Sequence, residues 1–155
     1  MNNILCNKIA VVTGASGGLG KAIALNLAKE GCHLRLLGRK EKKLLELKKT
    51  LKENFSGIDV DYFSVDFQDL AALHETIASI QVSGTAQILI NCAGVFPIKD
   101  ISSSTIDDYN RCFDINVRAP FVLSQALMAA MKEAKWGRIV NVGSSSAYNG
   151  SEDTG

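Results

Sequence analysis

The stretch from Ile9 to Gly20, I-A-V-V-T-G-A-S-G-G-L-G, most limits what this chain can become. An apolar run of strand length ends at Thr13. Glycines follow at Gly14, Gly17, Gly18 and Gly20, and a helical pattern, K-A-I-A-L-N-L-A-K-E-G, begins behind them. Strand, glycine turn and helix together suit a phosphate. Residues without a Cβ let the backbone turn sharply and a ligand come close, and a helix N-terminus offers unpaired N–H groups and a partial positive charge. The dinucleotide fingerprint G-x-G-x-x-G is absent, and so is the P-loop, because Ala15 and Ala22 stand where it needs a glycine and a hydroxyl residue. Two patterns remain. One is T-G-x-x-x-G-x-G, over Thr13, Gly14, Gly18 and Gly20. The other is G-x-S-x-G, over Gly14, Ser16 and Gly18, the nucleophile elbow of α/β-hydrolases, which also sits between strand and helix.

The remainder of the chain alternates. Apolar runs predict strands at Ile9–Val12, His33–Leu37, Asp59–Val65, Ala86–Ile90 and Arg138–Val142. Helical periodicity predicts helices at Gly18–Lys29, Glu41–Asn54 and Asp69–Ile80, and a longer one from Thr105 to about Lys135, bent near Pro120. Leu19, Ile23 and Leu27 share one face of the first helix. Leu44, Leu47, Leu51 and Phe55 face inward on the second, and Leu70, Leu73, Ile77 and Ile80 on the third. Lys42, Lys43, Lys48, Lys49 and Lys52 form a solvated side, and the loop Phe96–Ser104, with Pro97 and its serines, reads as mobile.

Strands alternating with helices predict βαβ units around one parallel sheet. A length of 155 residues suits a single domain. The fold class expected is α/β, a Rossmann-like doubly wound sheet in the order 3-2-1-4-5 with its ligand crevice between strands 1 and 4. The loops Thr13–Gly20, Asp66–Phe67 and Asn91–Val95 all follow strand C-termini, so they converge on that crevice.

Composition removes several function classes. A formal net charge of +1 gives no argument for a nucleic-acid or anionic-membrane partner. The apolar runs are too short to span a membrane, and M-N-N-I-L-C-N-K-I does not read as a signal peptide. Cys6, Cys32, Cys92 and Cys112 form no C-x-x-C pair, so neither a metal site nor a disulfide framework is expected. A soluble cytoplasmic protein with free thiols is the expectation.

Further motifs follow in order: Asn91-Cys92-Ala93-Gly94, then Asn116 in D-I-N-V-R-A-P-F, then Ser144 behind R-I-V-N-V-G. With the T-G-x-x-x-G-x-G turn, the chain resembles the short-chain dehydrogenase/reductase family from Lys8 to Ser144. The resemblance implies a nicotinamide dinucleotide as cofactor. Gly14, Ser16, Gly17, Gly18, Leu19 and Gly20 would wrap its pyrophosphate and ribose, with the amides around Ser16, Gly17 and Leu19 facing the ligand. Asp66 would touch the adenine edge with Phe67 beside it, and Asn91, Ala93 and Gly94 would lie along a ribose. Cys92 stands where the family has a second asparagine. Asn116 would hold a proton-relay water. Ser144 would hydrogen-bond the substrate carbonyl, with Ser145 one register step away as competitor. At the tip of the second strand, Leu37-Gly38-Arg39-Lys40 carries no acid to bind ribose hydroxyls. Arg39 can instead bond a 2′-phosphate, so NADP(H) is the expected form.

The family's Tyr-x-x-x-Lys is missing. Tyr148 is followed four residues later by Glu152, and a carboxylate cannot lower a phenol pKa as an ammonium does. The expectation is the N-terminal part of an NADP-dependent reductase, cut before the Tyr-x-x-x-Lys segment and the C-terminal strands, and inactive alone. The stripe Phe121, Leu123, Leu127 and Met131 would then lack its usual partner, and the fifth strand would be an open edge. The N-terminal half looks most like reductases of 3-oxoacyl thioesters on acyl carrier protein, and a homo-oligomer is implied for the complete protein. The alternatives are a non-catalytic dinucleotide-binding module and a serine hydrolase using Ser16. The hydrolase would need a histidine on a catalytic loop, whereas His33 opens a strand and His74 sits mid-helix.

Overall fold

The computed structural model describes residues 4–145. Its strands are β1 (Ile9–Thr13), β2 (His33–Gly38), β3 (Val60–Ser64), β4 (Ala86–Asn91) and β5 (Arg138–Asn141). They form one sheet in the order β3-β2-β1-β4-β5, as expected, and every pairing is parallel. The helices are α1 (Gly18–Lys29), α2 (Glu41–Asn54), α3 (Leu70–Val82), α4 (Ile106–Phe113) and α5 (Ala119–Glu133). This is a Rossmann-like α/β fold. Successive strand residues point to opposite faces, and both faces are covered. Ala10, Val12, Leu34, Leu36, Ile88 and Ile90 pack against α1 and α2. Val11, Leu37 and Leu89 pack against α3 and α5. β5 ends the sheet among the described residues, and all its residues are exposed. No helix of the described residues is long and apolar enough to cross a membrane.

Three helix faces differ from expectation. On α1 the buried residues are Gly20, Ala24 and Ala28, while Leu19 is 56% exposed. Small side chains let this helix lie close to the sheet, and the leucine row, one residue out of phase, turns toward Leu5 instead. On α3, Leu70 is exposed and Thr76 is buried in addition to Leu73, Ile77 and Ile80. On α5, Leu123, Leu127 and Met131 do have a partner, the sheet, where they join Ala119 at i+4 spacing. Phe121 does not belong to that row. It lies 62% exposed, on an outer apolar face with Val117 and Met128.

The long helical region is also not one helix bent at Pro120. It breaks earlier, in a π-helical turn at Asp114–Arg118, and Pro120 opens α5 within its first turn. A proline is tolerated there because first-turn amides need no intrahelical acceptor. Upstream, the loop 96–104 contains a 3-10 turn at Ile101–Ser103, where the Asp100 carboxylate accepts from the Ser102 amide and hydroxyl.

Arg35 is buried in β2, on the α3 face. A lone buried cation would be costly. Its guanidinium instead donates to the Ser83 hydroxyl at 2.7 Å and carbonyl at 2.8 Å, at the C-terminal end of α3, and pairs with Asp59 at 2.9 Å.

Candidate functional site

The C-terminal ends of β1 and β4 lie side by side where the strand order reverses, and Thr13 fastens them. Its buried hydroxyl accepts from the amides of Cys92 and Ala93, both at 2.9 Å, and donates to the Ile90 carbonyl at 3.3 Å. Thr13 stands in the glycine motif, yet no role was expected of its side chain. Thr13→Val keeps the shape and orphans two amides. An unsatisfied buried donor costs about 1–3 kcal/mol, so urea unfolding should show a loss of that size, with Thr13→Ser close to the parent. Equal stability of Thr13→Val and the parent would refute this latch.

The glycine turn is built to let backbones touch. Gly14 has φ +67°, and a Cβ there would lie 2.9 Å from the Ala93 backbone. The turn then enters α1 through Gly17, with no side-chain cap and no acid in the first turn. The positive helix end is therefore uncompensated. Gly18, Leu19 and Gly20 are the first helical residues, whose amides lack intrahelical partners. One expectation needs correction: the Gly17 amide does not face outward, because it donates to the Gly14 carbonyl at 2.9 Å and closes the turn.

Two adjoining clefts run along this edge. One, of about 320 Å³, is lined by Gly14, Ser16, Gly17, Gly38, Arg39, Lys40 and Phe67 and bounded by Cys92–Val95. The other, of about 680 Å³, shares residues 92–95 and continues past Asn91, Asn116, Pro120, Ser124 and Asn141 to Ser144. Gly14, Ser16 and Gly17 of the glycine turn, the β2 tip and the two distal motifs thus meet along one trench, whereas Gly18 lines a groove toward α2, Leu19 lies beside Leu5 and Gly20 is buried. Ser144 lines it, and Ser145 is not among the lining residues. Asp66 does not join the lining either. Its carboxylate accepts from the Gln68 amide at 3.0 Å in a turn of its own loop, leaving Phe67 to form the wall.

Asn116 holds the trench together. From the π turn its side chain accepts from the Val95 amide at 2.9 Å and donates to the Val95 carbonyl at 2.8 Å, clamping the loop after β4. Both polar atoms of the Asn116 side chain are thus engaged by Val95, which leaves its backbone carbonyl as the group open to the expected water. Pro120, four residues on, has no N–H to donate to that carbonyl. Asn91 donates to the Asn141 side chain at 2.8 Å across the β4–β5 pair, while its own buried oxygen has no hydrogen-bond partner among the described residues. The trench wall thus contains an unmet acceptor. The Cys92 thiol is pushed up in pKa by burial, so it is a poor acid and a poor nucleophile here.

These features fit an elongated, phosphate-bearing ligand. The glycine turn and a bare helix terminus can receive phosphates, Arg39 and Lys40 add positive charge at one end, and a serine hydroxyl stands at the other. No histidine lines either cleft. His33 lies at the opposite, N-terminal end of the strands, its Nδ1 accepting from the Asp59 amide at 2.9 Å. No histidine stands beside Ser16 to act as its base, and a serine-directed fluorophosphonate is expected to leave it unlabelled. Stoichiometric labelling, read by mass spectrometry, would contradict this.

The model of the short chain dehydrogenase family matches residues 8–154. The chain is 34% identical over 141 residues to 2,3-dihydro-2,3-dihydroxybenzoate dehydrogenase of Bacillus subtilis, covering 90% of this chain and 53% of that one. It is 32% identical over 140 residues to the 3-oxoacyl-[acyl-carrier-protein] reductase FabG of Rickettsia felis, covering 90% and 55%. The chain thus spans about half the length of these curated relatives. Among solved structures, L-sorbose reductase from Gluconobacter frateurii, complexed with NADPH and L-sorbose, superimposes with a TM-score of 0.93 at 31% identity, over 99% of this chain and 59% of that one. A 3-oxoacyl (acyl-carrier-protein) reductase from Agrobacterium tumefaciens with NADP bound gives 0.88 at 26%, over 97% and 57%.

Proposed function

We propose, for a chain that belongs to the short chain dehydrogenase family, the binding of NADP(H) and the orientation of a carbonyl substrate for reduction. The observation that carries this is the continuous trench from Ser16, Gly38 and Arg39 to Asn116 and Ser144. Residues 1–155 form one dinucleotide-binding unit in this reading. Gly14, Gly18, Leu19 and Gly20 hold the pyrophosphate, Arg39 the 2′-phosphate, and Phe67, Asn91, Ala93 and Gly94 line the adenosine and ribose path. Bound there, a reduced nicotinamide supplies hydride to the substrate carbon. Ser144 donates a hydrogen bond to the carbonyl oxygen and fixes its position, the kind of preorganised donor that stabilises developing negative charge. Asn116 keeps the loop after β4 closed against the ligand and presents its backbone carbonyl to a water.

The substrate we favour is a 3-oxoacyl thioester, with acyl carrier protein as its carrier. The sequence likeness to the Rickettsia reductase and the apolar wall of Val95, Phe96 and Val142 support it. A homo-oligomer is supported by the exposed apolar face of Phe113, Val117, Phe121 and Met128. Sedimentation as a monomer at all concentrations would refute it. The described cysteines are all free, which suits a reducing cytoplasm.

The cofactor assignment is tested at Arg39. A charge-assisted hydrogen bond contributes roughly 1.5–3 kcal/mol, so Arg39→Asp should lower NADPH affinity more than about tenfold while sparing or improving NADH binding. Equal affinity of the unmutated chain for the two cofactors would refute the assignment.

A further inference from the structure

We propose that Arg118 is a positioning residue for the cofactor: from the π-helical turn it holds the loop after β3, and with it the Phe67 wall, against the adenosine half of the dinucleotide. This rests on the NADP reading above and adds to it a residue that lines neither cleft.

The turn Asp114–Arg118 reaches two loops at once. Asn116 clamps Val95 in the loop after β4. Two residues on, Arg118 turns to the loop after β3, and its Nη2 donates to the Gln68 carbonyl at 2.9 Å. Its Nη1 pairs with Asp114 at 2.7 Å, four residues back in the same segment. A guanidinium is planar and its donors are fixed in a fork, so the carboxylate that seats one arm aims the other at the carbonyl. The receiving loop is already turned on itself. The Asp66 carboxylate accepts from the Gln68 amide and the Asp66 carbonyl from the Asp69 amide, both at 3.0 Å. Arg118 therefore grips a preformed turn rather than a slack segment.

Phe67 belongs to that turn. It is 4% exposed, shares an apolar cluster with Ile115 and Ala119, and lines the cleft of about 320 Å³. Ile115 comes from the same π-helical segment as Arg118. Burial keeps the ring in the core, but apolar attraction is non-directional and leaves the loop backbone free to shift along its neighbours. The directional bond to Gln68, the next residue, removes that freedom. Two loops that bound the cleft are thus referred to one five-residue turn, one by Asn116 and the other by Arg118. A partly exposed ion pair adds little to stability, so the work of Arg118 shows in binding rather than in folding.

The test titrates the 155-residue chain calorimetrically with NADP and with adenosine 2′,5′-bisphosphate, which is the adenosine half alone. Arg118→Met keeps the apolar stem and removes the donors. It should weaken both ligands by the same factor, roughly fivefold, because the adenosine half carries the whole effect. The loss should persist at about 0.5 M salt, where a change of surface charge is screened. Asp114→Ala removes the partner that aims the fork and should give a smaller loss. Added to Arg118→Met it should cost nothing further, because it acts through the same guanidinium. Urea unfolding should place Arg118→Met near the parent. The proposal is overturned if Arg118→Met binds the bisphosphate like the parent, if its loss appears with NADP alone or vanishes in salt, if the two losses add in the double variant, or if Arg118→Met is unfolded. A parent chain that binds neither ligand overturns the NADP reading itself and this proposal with it.

Discussion

Gly20→Ala is expected to abolish nucleotide binding and to destabilise the fold, the largest single-residue effect in the chain. A Cβ at Gly20 would fall on the Gly14 carbonyl, 2.7 Å from its carbon and 3.0 Å from the Ala15 Cα. These are backbone atoms, so no rotamer change relieves the clash. Either α1 moves off the sheet or the glycine turn opens, and both dismantle the phosphate cradle. Overpacking a tight site costs about 1–3 kcal/mol, and displacement of backbone places this case at the upper end or beyond. Gly18→Ala is the control. Nothing lies within 4 Å of a Cβ there, and alanine is a better helix former by about 1 kcal/mol, so this variant should fold as well as the parent. Urea unfolding with NADPH titration of both variants checks the pair. A stable Gly20→Ala variant that binds NADPH normally would show that the turn is not as tight as described.

The 155-residue chain, given NADPH and a panel of 3-oxoacyl thioesters, is expected to oxidise no cofactor above the background without protein. In the proposed reading Ser144 orients a carbonyl, and an aliphatic hydroxyl is too weak an acid to protonate it in place of a tyrosine–lysine pair. Of the three tyrosines, Tyr62, Tyr109 and Tyr148, the residues four positions on are Asp66, Phe113 and Glu152, none of them lysine. Tyr148 and Glu152 lie outside the described residues. The other polar side chains lining that cleft with Ser144 are Asn91, Asn116, Ser124, Asn141 and the Cys92 thiol, and burial weakens that thiol as an acid. A positioned general acid contributes roughly 10²–10⁴-fold, which is enough to take turnover below detection. Following absorbance of the reduced nicotinamide on chain verified by mass checks this. Turnover that Ser144→Ala abolishes would contradict it and would move the acid's role to Tyr148 or to a water.

The sheet and its order were legible because its strands are short apolar runs stopped by glycine, asparagine or a turn, a pattern that only a covered parallel sheet satisfies. The glycine turn was legible for the same local reason. Helix faces were less so. A search for large apolar residues on the first helix finds Leu19, Ile23 and Leu27, yet the packing face is Gly20, Ala24 and Ala28, whose value lies in being small. Pro120 marked a disturbance, but a proline shows where a helix can begin as readily as where it bends, and the π turn upstream has no residue signature of its own. Arg35 sits inside the strand run H-L-R-L-L. Its partners Ser83 and Asp59 are remote in sequence, so nothing local announced that it could be buried. At the site, the motifs named the residues, while the structure distributed the work among them. Asn116 clamps Val95, Thr13 latches two strands, and Arg118 holds Gln68. Each of these depends on a pair of residues far apart in the chain.

The central claim is that this chain holds NADP in the trench between β1 and β4, and amide NMR of the ¹⁵N-labelled 155-residue chain titrated with NADP tests it most directly. The account predicts saturable shifts in the glycine turn (13–20), at the β2 tip (38–40), at Phe67 and along 91–95, with the far end of the strands around His33 and Asp59 unmoved. Saturation without shifts in the glycine turn, or shifts concentrated elsewhere on the chain, would contradict it.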